Sequence, residues 1–295
     1  MDATTRELLD ACRFDESITA VDLAVSGGPD SLGLLLLALA KGLSVRVHHV
    51  DHHARPTSGD DARHVEAVCA ALDVDFVLHD VVVKPGANFE DRARQARRAT
   101  MPVGVLTGHT MDDLAETVLL NMLRGAGLDG LSPMVGDVTK PLCVIRRRDL
   151  HDFVRASRFV ALHDESNDSP AFRRNRVRHE LLPLLCDVAQ RDVVPILARQ
   201  AYLIHDELAW LDELSVSDRA LALEEADCRS LRTWPTARLR RWLRERLRTG
   251  GDGDSHPPSA DEVERAIGVV RGDAVATELT GARRLARQHQ RLTLE

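Results

Sequence analysis

Apolar residues in this chain gather in short runs, and each run is followed by a stretch with helical spacing. Residues 18–25, 44–50, 75–83, 103–108 and 140–145 read as strands, rich in Val, Ile and Leu and bounded by turn residues. Behind them, residues 31–41, 59–72, 89–99, 111–124 and 147–157 read as helices. Five strand-then-helix units predict an α/β fold with a five-stranded, doubly wound parallel sheet. Its crossovers are expected to be right-handed, and its ligands to lie off the carboxyl ends of the strands. From about residue 183 the pattern turns helical. Residues 190–214 and 236–248 read as helices, 249–258 as a loop, and Ser259 as the N-cap of a third helix. Residues 277–295 alternate around Gly281 and predict a hairpin. Two domains follow, residues 1–185 carrying the sheet and residues 186–295 mainly helical.

Bulk properties narrow the class. With 295 residues, 44% of them hydrophobic, the chain can bury two cores. A formal net charge of −7 means that any nucleic-acid partner must be met by a local basic patch. Aromatic residues make up only 3%, so stacking platforms for bases are scarce. Five scattered Cys without a C-x-x-C pair argue against an iron–sulfur cluster, a zinc ribbon or a disulfide framework. No apolar signal-peptide core stands in the first twenty residues, and the longest apolar run, 32–40, is too short for a membrane span. A soluble cytoplasmic protein is expected.

Two stretches carry chemistry that can be read from their residues alone. In "AVSGGPDSLGLL" a strand enters Ser26, Gly27, Gly28, Pro29, Asp30 and Ser31, and an apolar helix follows. Glycines let backbone approach an anion, and the helix start offers N–H groups and a positive dipole end. The turn lacks the Lys of a Walker loop and the spacing of a dinucleotide fingerprint. Asp30 beside phosphates is repulsive unless a cation intervenes, so Mg²⁺ at Asp30 is implied. The plain alternative is a βα turn capped by Ser or Asp. In "GHTMDDLAET", His109 ends the fourth predicted strand, and Asp112, Asp113 and Glu116 open a helix. Asp112 and Glu116, four apart, are expected to share a face, with Asp113 pointing elsewhere. Such acids suit an amine or a metal, or they simply complement the helix dipole.

These motifs resemble one family in chain order. The Ser26–Ser31 turn resembles the PP-loop of N-type ATP pyrophosphatases, which cleave ATP between its α- and β-phosphates. "HVDHHARPTS", with Asp51, His52, Arg55 and Ser58, resembles the tRNA(Ile)-lysidine synthetases in particular, with His53 where a Gly is usual. "NFEDRAR" supplies Asn88, Glu90, Ala93 and Arg94; "RGAGLDGL" supplies Arg124, Gly125, Gly127, Gly130 and Leu131. "DESNDSPAFRRNRVRHELLPLL" supplies Asp164, Ser166, Asn167, Arg174, Asn175 and Arg178. The segment between Arg94 and Val103 is shorter than the family's, and Arg98-Ala99 stands for its Arg-Tyr pair.

The resemblance spans about residues 21–185. It implies ligation of free L-lysine to C2 of the wobble cytidine of a CAU-anticodon tRNA(Ile). The reaction would pass through an adenylated tRNA and release pyrophosphate and then AMP. It implies ATP on Ser26–Ser31 and Asp51, catalysis by Asp30, His109, Asp112, Asp113 and Glu116, and lysine at Asp113 and Glu116. Arg55, Arg94, Arg124, Arg174, Asn175 and Arg178 would meet tRNA or phosphate. A homodimer is compatible with the sequence. The Arg-rich run 229–248 resembles no named motif and reads as a helix facing tRNA or as a solvated face. Rival readings are a tRNA cytidine thiolase, which would want paired cysteines, an amidating ligase, which would lack the later motifs, and a non-catalytic nucleotide sensor.

Overall fold

The protein is represented by a computed structural model in which residues 3–51, 53, 58–81, 96, 99–163, 169–248 and 258–295 are described. Strands β1 (Ala20–Ala24), β2 (Ser44–Asp51) and β3 (Asp75–Asp80) form a parallel sheet in that order. Helix α1 (Ala3–Ala11) precedes the sheet, and α2 (Pro29–Ala40) and α3 (Ser58–Leu72) make its crossovers. Pro29 suits the start of α2, where its missing N–H is no loss. The helix is apolar almost all round, and Leu32, Leu34, Leu35 and Leu37 are buried in the main core with Leu23, Val47 and Val65.

The α/β class with a parallel sheet is as expected, but the strand count is not. Three strands form among the described residues where five were predicted. Residues 103–108 reduce to one parallel bridge, Leu23 to Leu106, on the free side of β1. Leu106 N donates to Asp22 O at 2.8 Å and Ala24 N to Leu106 O at 2.9 Å. Pro102 has no N–H, and a turn from Pro102 O to Val105 N ends the pairing there. Residues 140–145 are turns rather than a strand. Pro141 breaks the run, and Lys140, Cys143 and Ile145 each donate to a carbonyl three residues back. Leu142 and Ile145 still reach the core. The helix expected at 89–99 lies almost wholly outside the described residues.

Helices α4 (Met111–Leu123) and α5 (Arg147–Ala156) form where their periodicity placed them. Leu150 of α5 is fully buried against Gly33 of α2. A Cβ on Gly33 would come within 2.6 Å of Leu150 Cδ1, so glycine permits the close crossing. Beyond the turn Arg173–Arg176, the chain widens into a π turn, Val177–Leu181, and continues as α6 (Leu182–Ala189). Pro183 gives a reason for the widening, since it cannot donate to the carbonyl four residues back.

The chain divides into compact units Met1–Leu208 and Ala209–Glu295, within the long helix α7 (Val194–Leu214). The stretch 186–208 groups with the sheet, because Val193 and Val194 join Ala115 and Leu119 of α4 in one cluster, and Ala198 and Ala201 join Leu114 and Val118 in another. The second unit packs α8 (Thr236–Arg246) and α9 (Ala260–Arg271) on an antiparallel sheet of β4 (Ala276–Leu279), β5 (Arg283–Gln288) and β6 (Arg291–Leu294). The terminal hairpin therefore carries one more strand than the alternation around Gly281 suggested. Ser259 caps α9 in a reciprocal box with Glu262, and Glu262 also accepts from Thr280 N at 2.5 Å.

Leu150→Ala should cost about 2–5 kcal/mol, the usual range for a buried Leu with no room to collapse. Urea unfolding measures it, and a loss under about 1 kcal/mol would show that the α2–α5 crossing is not held by this side chain.

Candidate active site

The glycine turn sits at the carboxyl end of β1. Gly27 turns the chain at φ +88°, and no side chain caps α2 at Gly28, so the N–H groups of its first turn are open to an anion. Ser26 and Ser31 hydroxyls lie 3.2 Å apart, Ser31 Oγ donates to Gly28 O at 3.0 Å, and Leu162 N donates to Gly27 O at 2.8 Å. Gly108 passes very close, since a Cβ on it would lie 2.6 Å from Asp30 O. Asp51 is buried at the end of β2 and accepts from His53 N at 2.8 Å. Burial alone would raise its carboxyl; the His53 amide, the Ser58 hydroxyl and the nearby His rings outweigh it and hold it below the ordinary range.

The acids of α4 do not divide as the spacing suggested. Asp113 and Glu116, three apart, share the same arginines, while Asp112 turns to Arg146. Residues three apart are neighbours on a helix as well as residues four apart, and here the arginines decide between the two. Asp113 Oδ1 accepts from Arg147 and Arg174, each at 2.8 Å, and its Oδ2 accepts from the amide and hydroxyl of Thr110, the N-cap. Glu116 is fully buried. Its Oε1 accepts from Arg147 and Arg178 at 2.8 Å, and its Oε2 from Arg174 at 2.8 Å and Arg178 at 3.3 Å. Asp30 meets the same network: Arg147 Nε lies 3.6 Å from its Oδ2, and His151 Nε2 donates to its Oδ1 at 2.8 Å.

Three guanidiniums thus surround the Asp113 and Glu116 carboxylates, with Asp30 at the edge of the same network. Burial works against ionising Asp113, but Arg147, Arg174 and the Thr110 amide hold its carboxyl far below the usual range. Glu116 is likewise opposed by burial and lowered by Arg178 and Arg147, against repulsion from Asp113. Burial would lower Arg147, yet Asp113, Glu116 and Asp30 hold it firmly protonated.

Other expected residues fall as follows. His109 Nδ1 lies 2.7 Å from the Thr107 hydroxyl, beside the cap of α4. Of the four clustered arginines, Arg174 and Arg178 turn into the network, while Arg173 and Arg176 are exposed and Arg176 pairs with Glu180. Asn175 is buried and donates to Ser169 O at 2.8 Å. Arg124 is exposed at the far end of α4, about 16 Å along the axis from Asp113. His52, Arg55, Asn88, Glu90, Ala93, Arg94, Asp164, Ser166 and Asn167 lie outside the described residues. In the second unit, Arg238 forks onto Asp218, Arg240 pairs with Glu264, Arg241 with Asp212 and Arg248 with Glu245, so much of the basic run is neutralised internally.

Sequence reasoning missed Arg146, Arg147 and His151. A signal was present: three arginines, 146–148, open a helix at its positive dipole end, an unfavourable place unless acids elsewhere hold them.

Comparisons with known proteins show what the chain as a whole is similar to. A family described as the PP-loop domain matches residues 2–185. The tRNA(Ile)-lysidine synthase of Nocardia farcinica is 34% identical over 294 residues, covering 93% of this chain and 91% of that protein. That of Gloeobacter violaceus is 39% identical over 210 residues, 65% of each chain. That of Deinococcus radiodurans is 34% identical over 247 residues, 78% of this chain but 40% of its own length. A U34-tRNA thiolase, NcsA from Methanococcus maripaludis, shares the fold, with a TM-score of 0.53 at 15% identity over 68% of this chain and 78% of that one.

The paired carboxyls titrate lower in the folded than in the unfolded chain. Their stabilisation is therefore full above about pH 5 and is lost as pH falls through about 4 and below. Glu116→Gln should cost about 3–5 kcal/mol at pH 7, because it leaves the buried Arg147 guanidinium under-neutralised, and should flatten the loss of stability below about pH 5. Urea unfolding at several pH values checks both, and unchanged stability with an unchanged slope would contradict the geometry.

Proposed function

From the premise that the chain belongs to the tRNA(Ile)-lysidine synthase family of PP-loop proteins, we propose that it ligates lysine to the wobble cytidine of tRNA(Ile). ATP would lie on the Ser26–Ser31 turn, with Asp51 at the neighbouring strand end. The cytidine O2 would attack the α-phosphorus, pyrophosphate would leave, and the lysine amine would then attack C2 and expel AMP. The observation that carries this reading is the single network joining Asp30 at the glycine turn to Asp113, Glu116 and three arginines.

Among the described residues no three His, Cys, Asp or Glu side chains gather to hold a metal unaided. A lone carboxylate at the loop, Asp30, fits Mg²⁺, which is commonly held by one or two carboxylates together with substrate phosphates. Bound there, Mg²⁺ would offset phosphate charge and favour departure of pyrophosphate. Arg174 and Arg178, partly exposed at the rim of the network, suit the α-phosphoryl group or a tRNA phosphate. Thr110 caps α4 and Asp112 anchors Arg146 and the Arg147 amide, while His109 stands beside the cap against the Thr107 hydroxyl.

Lysine is placed at Asp113 and Glu116, and the hydrogen bonds attach a condition. Every oxygen of these carboxylates already accepts two hydrogen bonds. An ammonium group can enter only as an arginine leaves, and an anion that draws Arg174 or Arg178 outward frees its place. The same exchange relieves the charges that hold Asp113 and Glu116 low, so either becomes a better proton acceptor when the amine must lose its proton. The second unit is assigned to tRNA, and a cytoplasmic site follows from that substrate. No described helix is long and apolar enough to cross a membrane.

Incubation with CAU-anticodon tRNA(Ile), ATP, Mg²⁺ and lysine should convert the wobble cytidine to its lysine adduct, read by nucleoside mass analysis. Asp30→Asn should lower the yield rate at least about tenfold while leaving the fold intact. Unmodified tRNA with the wild-type protein, or full turnover by Asp30→Asn, would overturn the reading.

A further inference from the structure

Arg147 and His151 stand four apart on α5, so they share a face. The crossing of Gly33 and Leu150 fixes which way that face looks: Leu150 locks α5 against α2, and Asp30 lies one turn before Gly33. Both side chains therefore converge on the Asp30 carboxylate, and they do not treat its oxygens alike. His151 Nε2 donates to Oδ1 at 2.8 Å. Arg147 Nε stays 3.6 Å from Oδ2, beyond hydrogen-bond reach, and is itself buried without a hydrogen-bond partner among the described residues. Its terminal nitrogens are spent on Asp113 and Glu116. Oδ2 accordingly carries charge but accepts no hydrogen bond among the described residues.

We propose that His151 is a positioning residue that pins Asp30 by Oδ1 and so presents Oδ2 to the cation that accompanies ATP. The proposal rests on the reading that the Ser26–Ser31 turn binds ATP with Mg²⁺. A carboxylate that ligates a cation gains from a partner on its other oxygen, because that partner fixes the rotamer before the metal arrives. His151 can serve without holding the fold together. Its side chain is 28% exposed, and the buried contact between the helices belongs to its neighbour Leu150.

The test is ATP binding by the full chain, without tRNA or lysine, in excess Mg²⁺ and in EDTA, followed by titration calorimetry. His151→Ala should weaken binding about tenfold in Mg²⁺ and less than about twofold in EDTA, and His151→Gln, whose amide can still donate to Oδ1, should recover most of the loss. The thermal midpoint of both variants should stay near that of the wild type, since a partly exposed pair adds little stability. Equal losses with and without Mg²⁺, no loss in Mg²⁺, or a Gln variant no better than Ala would each overturn the proposal. Wild-type binding that is indifferent to Mg²⁺ would instead overturn the metal reading of the turn, and the proposal with it.

Discussion

A fully buried glutamate has to be neutralised, and that requirement shapes the first unit of this chain. Glu116 has no exposed surface, and an isolated carboxylate there would cost several kcal/mol. The cations that satisfy it come from distant segments: Arg147 at the start of α5, and Arg174 and Arg178 around the π turn. Asp113 draws on the same three. Five charges thus tie α4, α5 and the segment before α6 together. Apolar clusters around Leu114, Ala115, Val118 and Leu119 hold the opposite side of α4. Removing one carboxylate strands guanidiniums, whereas a pair taken away together would leave a far smaller deficit.

The arrangement also connects scaffold to chemistry. Arg147 reaches from the two α4 acids toward Asp30, so the state of the glycine turn and the state of the acids are electrostatically linked. Close backbone approach at Gly108 holds the α4 entrance against the turn. A cation at Asp30 and an anion on Arg174 or Arg178 would each rebalance the cluster, one by withdrawing a negative partner and the other by supplying one. Under the proposed function, substrates of opposite charge would therefore prepare one another's sites.

What the sequence made legible follows from the range of each interaction. The glycine turn and α2 are local, and their residues stand adjacent in the chain, so both could be read. Helices α4 and α5 declared themselves by periodicity. The strand at 103–108 was overcounted, because an apolar run does not reveal how many of its amides find partners, and Leu106 alone bridges to β1. At 140–145 the side chains do enter the core, but Pro141 forces turns on the backbone. Asp113 and Glu116 were named from the sequence, yet their sharing of three arginines was not, since ion pairs spanning 31–62 residues leave no local trace. Arg147 and His151 were missed for the same reason, although arginines crowding a helix start were a usable clue. In the second unit the opposite held: a dense basic run suggested a partner, and neighbouring acids absorb much of it.

In the proposed reaction the α-phosphate of ATP passes to tRNA before lysine acts. That order is tested most directly by supplying ATP labelled at the α-phosphate, with Mg²⁺ and CAU-anticodon tRNA(Ile) but no lysine, and then adding lysine. Label should first accumulate on the tRNA, and lysine should then release it as AMP. Label that never joins the tRNA, or that leaves as ADP, would contradict that order.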